Sequence, residues 1–170
     1  RLGCKVLIDA MSSFGADDLD VADVDAICSS ANKCLHGIPG VSFVLVRPGV
    51  RFSTPRGYYL YLPRYEGDDP PLTPPVPAML ALGVALGEFD EQGGRSARHA
   101  SYAMKGVAVL KAAEILGCTE LPLTGDRSCT MRVFRAPDGW SAPEWIEANR
   151  RSGTLLYGCK GELKQEWFQV

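Results

Sequence analysis

The run Ser29-Ser30-Ala31-Asn32-Lys33-Cys34 places a lysine directly behind an apolar, strand-like segment and just ahead of Gly37-Ile38-Pro39-Gly40. Glycines in such a stretch let backbone come close to a ligand, and lysine is seldom drawn into surroundings of this kind without a use. An amine that forms a Schiff base with a carbonyl must be partly deprotonated, and an apolar, partly desolvated site moves a lysine in that direction. A solvated loop lysine fits the same residues, so on these positions alone both readings stand. Asp9 carries the second signal. It ends the apolar run Val6-Leu7-Ile8 and precedes Ser12, Ser13 and Gly15. An acid at the carboxyl end of a strand stands where α/β sheets bind ligands, although an aspartate there also suits the cap of the next turn.

The elements that would hold these residues follow from short apolar runs bounded by Gly, Pro and Asp. Val6–Ile8, Ala26–Ser30 and Val41–Val46 predict buried strands of an α/β sheet with both faces covered. Tyr58–Leu62 predicts a further strand, and the prolines at 70, 71, 74 and 75 predict a long loop. Val76, Met79, Leu80, Val84 and Phe89 follow a helical repeat that stops at Gly93-Gly94. A second helix is expected from Arg95 to Leu116, with Gly117 as its left-handed terminal residue. The last third reads as strand (Thr130–Phe134), helix (Ala142–Arg151), strand (Thr154–Tyr157) and strand (Trp167–Val170). The helix opens on Ser141 and Glu144 in capping-box spacing and closes before Gly153. These expectations place a boundary near Gly93, giving residues 1–93 and a small α+β domain at 94–170 that is incomplete at its end.

The chain of 170 residues is 46% hydrophobic and 22% charged, which is enough to build a core. Arg1 leads almost at once into one apolar run and Val170 closes another, which suggests a piece of a larger protein. A net charge of -2 without a basic block beside aromatic residues argues against nucleic acid. No apolar run reaches the roughly 18 residues of a membrane span, and a cytoplasmic location is expected. Six cysteines contain no C-x-x-C pair and only two histidines accompany them, so structural zinc is disfavoured and free thiols are expected. His36 reads as a loop residue bonded to backbone, His99 as surface or interface, and Asp68-Asp69 as a solvated turn.

In order along the chain, Asp9-Ala10-Met11-Ser12-Ser13-Phe14-Gly15, the Ser29–Cys34 run, Gly37-Ile38-Pro39-Gly40, Leu72-Thr73-Pro74-Pro75, Glu91-Gln92-Gly93-Gly94 with Ala97-Arg98-His99, and Leu155–Gly161 resemble the 2-aminoethylphosphonate:pyruvate aminotransferases. That family is a class V branch of the fold-type I enzymes that use pyridoxal 5'-phosphate (PLP). Each motif is weak by itself, whereas the ordered set covers nearly the whole chain. The resemblance implies an α/β fold made of the C-terminal part of a large PLP-binding domain plus a small C-terminal α+β domain. It implies a transferase of phosphonate metabolism that moves an amino group from a small-molecule donor to an oxo-acid acceptor.

By the same resemblance Lys33 would hold the cofactor as a Schiff base and then act as the proton-transferring base. Asp9 would pair with the pyridine nitrogen, keeping it protonated so that the ring can serve as electron sink. Met11 would lie against a ring face, Asn32 would help bind the phosphate, and Thr73 would reach the phosphate of a neighbouring subunit in a homodimer with a shared active site. The family's substrate-binding arginine falls at Gln169, which keeps hydrogen bonding but loses the charge and the bidentate fork. Arg51, Arg56 and Arg64 are candidate replacement anion contacts. The change at 169 leaves open a PLP-dependent lyase or decarboxylase acting on a phosphonate-bearing amino acid. The family's glycine-bearing phosphate loop does not occur in these residues, so they are not expected to be competent alone, and a non-catalytic binding or dimerisation relative is a further alternative.

Overall fold

A computed structural model of the chain describes residues 3–51, 57–67, 69–125 and 127–170. The chain divides into two compact units, one up to Gly94 and one from Arg95 onward.

In the first unit, strand β1 (Leu7–Asp9) runs parallel to β2 (Ala26–Ser30), and β2 pairs antiparallel with β3 (Ser42–Val46). Alternation divides the residues between two faces. One face carries Ile8 and Ile27, which pack with Ala10, Val24, Val6, Phe14 and Leu19 into a small core. Phe43 meets Phe14 edge to face, with ring centroids 5.2 Å apart. Buried Asp25 anchors the start of β1 through Oδ2, which accepts from the Val6 N–H at 2.9 Å. Helix α1 (Val76–Glu91) follows the proline-bearing loop. It starts with Pro77 inside its first turn, where the missing N–H costs nothing. It ends at Gly93 and Gly94, whose φ of 94° and 64° turn the chain out of the right-handed helix.

The second unit holds α2 (Gly94–Ile115, all but its first residue), β4 (Thr119–Glu120), β5 (Val133–Arg135), α3 (Ala142–Arg151), β6 (Tyr157–Gly158) and β7 (Trp167–Gln169). Its strands form an antiparallel sheet in the order β4-β5-β7-β6. Phe134, which is fully buried, and Phe168 form its centre with Ala113 of α2 and Ala142 of α3, flanked by Leu110, Trp145 and Ile146. The capping box at the start of α3 is present: Ser141 Oγ accepts from the Glu144 N–H, and the Glu144 carboxylate accepts from the Ser141 N–H. Among the described residues no helix is long and apolar enough to cross a membrane. The cysteines are free thiols, with Cys34, Cys118 and Cys159 buried.

Three expectations need correction. Tyr58–Leu62 forms no strand. The segment bends into a 3₁₀ turn at Leu62–Tyr65 and leaves Tyr59 and Leu60 exposed, because no strand among the described residues lies alongside to take its backbone groups. The first sheet is not covered on both faces: Leu7, Val44 and Val46, on the face opposite Ile8 and Ile27, are 61%, 38% and 37% exposed around a buried Ala26, and Leu45, on the Ile27 face, is 50% exposed. The apolar enclosure expected around Lys33 is likewise not built by these residues, since Lys33 lies exposed in a loop.

Candidate functional site

Because β1 and β2 are parallel, their carboxyl ends lie at one edge of the sheet, and Asp9 stands in register with Cys28. Lys33 follows five residues later, in the connection that joins β2 to β3. That connection is closed by backbone bonds: Ala31 N–H donates to Val41 O at 3.0 Å, Gly37 N–H to Ala31 O at 2.8 Å, and His36 N–H to Lys33 O at 2.9 Å. His36 takes a left-handed φ of 59° to complete the turn. Gly37 is closely packed, since a Cβ there would stand 3.0 Å from the Ala31 carbonyl oxygen, a tight contact.

The Asp9 segment is tied to this loop. Ala10 N–H donates to Cys28 O at 2.9 Å, Ser29 Oγ to Ala10 O at 3.2 Å, and Cys34 Sγ to Ser12 O at 3.2 Å. The structure therefore brings Asp9, Met11, Asn32 and Lys33 to one sheet edge, all exposed. Asp9 Oδ1 accepts from the Met11 N–H at 3.0 Å and so also caps the turn that follows it. Oδ2 has no partner among the described residues, and neither has the Lys33 ammonium. Ser30, on the same face as Cys28 and Asp9, has a buried Oγ without a hydrogen-bond partner among the described residues. Ser29 and Cys34 carried no individual role in the sequence reading, because their partners are carbonyl oxygens that only the fold identifies.

Thr73 is exposed and lines a separate cavity of about 700 Å³ with Gly40, Tyr59, Tyr65, Asp69 and Met79. None of Asp9, Met11, Asn32 or Lys33 lines that cavity. Arg64 lies over the Tyr58 ring, 3.8 Å from its centroid, and the Arg51 carbonyl accepts from Lys5 Nζ. Arg56 and Asp68 lie outside the described residues. In the second unit Gln169 sits half-buried in β7 between Val133 and Tyr157, with its Nε2 3.9 Å from Cys159 Sγ.

No family model matches the chain. Among curated proteins it is 36% identical over 182 residues to the 2-aminoethylphosphonate–pyruvate transaminase of Paraburkholderia phymatum, covering 99% of this chain and 48% of that protein. It is 32% identical over 186 residues to 2-aminoethylphosphonate–pyruvate transaminase 2 of Paraburkholderia xenovorans, covering 100% of this chain and 49% of that protein. The chain thus spans about half the length of the curated relatives it matches. Among solved structures, the pyridoxamine–pyruvate aminotransferase of Mesorhizobium loti superposes with a TM-score of 0.85 at 25% identity, over 99% of this chain and 46% of its own. A subgroup IV aspartate aminotransferase of Thermus thermophilus gives 0.80 at 27% identity, over 97% of this chain and 48% of its own. With this fold, and with the ordered motifs that close around Asp9 and Lys33, the chain is similar over nearly its whole length to about half the length of these 2-aminoethylphosphonate–pyruvate transaminases and shares the fold of solved aminotransferases.

Proposed function

We propose that the protein to which these residues belong is a cytoplasmic, PLP-dependent aminotransferase that moves an amino group from an aminophosphonate such as 2-aminoethylphosphonate to pyruvate or a similar oxo acid. The observation that supports it best is the shared sheet edge of Asp9 and Lys33, whose segments are tied to each other by side-chain and backbone hydrogen bonds.

The residues present fit PLP. They offer an amine without an acceptor, a carboxylate with one unengaged oxygen and an amide at Asn32, and the unpartnered Ser30 hydroxyl lies on the Asp9 face. When bound, PLP supplies an electron sink for the charge left on the substrate carbon when its proton departs. Lys33 would hold the cofactor covalently, and with its amine released by the amino donor it would move the proton between the substrate carbon and the cofactor, the second half-reaction running the same transfer in reverse. Asp9, with Oδ1 kept oriented by the Met11 N–H, would pair through its other oxygen with the ring nitrogen and keep it protonated. Met11 would lie against a ring face and Asn32 would contribute to phosphate binding. Thr73, which lines a cavity that Lys33 does not, would reach the phosphate held by a second copy, which would make the enzyme a homodimer with a shared active site.

The position of Gln169 favours a second reading, a lyase or decarboxylase, because a neutral amide at the position matching the family's arginine holds an acidic substrate group less firmly. Product analysis with and without an oxo-acid acceptor separates the two, since only amino transfer requires the acceptor. The central claim is tested by mixing the full-length protein with PLP, reducing with borohydride and mapping the phosphopyridoxyl group by mass spectrometry. The label is expected on Lys33 and absent in Lys33→Ala. A label found only at other lysines would remove the assignment.

A further inference from the structure

Lys33 is fastened to the Asp9 segment from both sides by buried side chains. Ser29, 2% exposed, stands four residues before it, and Cys34, 4% exposed, directly after it. Their acceptors, the carbonyls of Ala10 and Ser12, stand directly before and directly after Met11, next along the chain from Asp9. A displacement of the loop relative to Asp9 must therefore break one bond or the other. Cys34 is the closer control, because adjacent Cα atoms are only about 3.8 Å apart and a shift at 34 is passed directly to 33. A thiol is a weak donor, yet replacing it by a group without a donor leaves the Ser12 carbonyl without that bond.

On the reading that Lys33 carries PLP, we infer that Cys34 is a positioning residue: its thiol, with the Ser29 hydroxyl as second tie, sets where the Lys33 amine stands relative to Asp9. Misplacement of reacting groups by an ångström can cost a large factor in rate, so this contact has leverage beyond its own strength.

The test compares Cys34→Val, which keeps an apolar side chain but has no donor, with Cys34→Ser, which keeps a donor for the same carbonyl. Both are made in the full-length protein and checked for folding by thermal unfolding, and Ser29→Ala probes the other tie if Cys34→Val fails to fold. Two readouts are taken. One is the rate at which the PLP label is trapped on Lys33, and the other is the pH profile of Lys33 acylation by acetic anhydride without cofactor. Loss of the donor in Cys34→Val, or in Ser29→Ala, is expected to slow trapping about three- to tenfold and to shift the acylation profile, with Cys34→Ser close to the unsubstituted protein in both. Unchanged trapping and an unchanged profile in Cys34→Val, with Lys33 labelled normally in the unsubstituted protein, would overturn this inference and leave the functional reading intact. Failure of the unsubstituted protein to label Lys33 removes the reading and the inference together.

Discussion

At the residue scale Asp9 joins a structural bond to an oxygen that stays available for the proposed pairing with the cofactor ring. Asp9 Oδ1 holds the turn through the Met11 N–H, while Oδ2 remains available. The two oxygens can therefore be tested separately. An asparagine placed with its oxygen toward Met11 keeps the turn bond but presents an amide to the ring nitrogen and can no longer stabilise it as a cation. Asp9→Asn is expected to leave the thermal midpoint nearly unchanged and to lower kcat by about 10²–10³-fold, the usual scale for removing one preorganised electrostatic contact. A comparable loss of both stability and activity would show that Asp9 acts chiefly as a turn cap.

At the element scale, what could be read from the sequence depended on whether the determinant was local. Helix α3 was expected over Ala142–Arg151 and occurs there, because Ser141, Glu144 and Gly153 mark its ends without help from the rest of the fold. The strand expected at Tyr58–Leu62 failed for the opposite reason: an apolar run becomes a strand only if another strand bonds to it, and its residues do not reveal that. Strand β4 went unseen because two residues hold no period. The Asp9–Lys33 edge was found through motif order, whereas the Ser29 and Cys34 bonds depend on which carbonyls the parallel pairing brings near.

The missed strand also carries the second unit's clearest electrostatic feature. Glu120 ends β4 with its side chain 18% exposed, paired to Arg132 at 2.6 Å and to Arg127. Burial pushes its carboxyl up, but the hydrogen bonds and charges of the two arginines outweigh burial and hold it below the ordinary 4.5. A depressed carboxyl stabilises the fold above its unfolded value and loses that contribution as pH falls through the folded value. Urea titrations are therefore expected to show Glu120→Gln less stable by about 1–2 kcal/mol at neutral pH. The difference should shrink in acid, as pH falls through the lowered value of the native carboxyl and it takes up its proton. A difference that stays constant with pH would place the effect in packing instead.

At the scale of the whole molecule, the sheet of the first unit presents Leu7, Val44 and Val46 on one face, and the chain spans about half the length of its curated relatives. Contiguous exposed apolar surface of this kind drives association and dye binding. The 170-residue polypeptide by itself is expected to enhance the fluorescence of an apolar dye and to self-associate as its concentration rises. Val44→Lys should reduce both, and light scattering that is unaffected by this substitution would locate the association elsewhere.

The backbone closure of the Lys33 loop bears on how such a protein diverges. The path of the chain through residues 31–41 is held by main-chain bonds and by close packing at Gly37, neither of which depends on the residues that would contact a substrate. Selection can then rework positions such as Gln169 without disturbing the path that carries the amine. On the proposed function, inheritance of the amine's position and drift in what the site recognises are, in this architecture, separable.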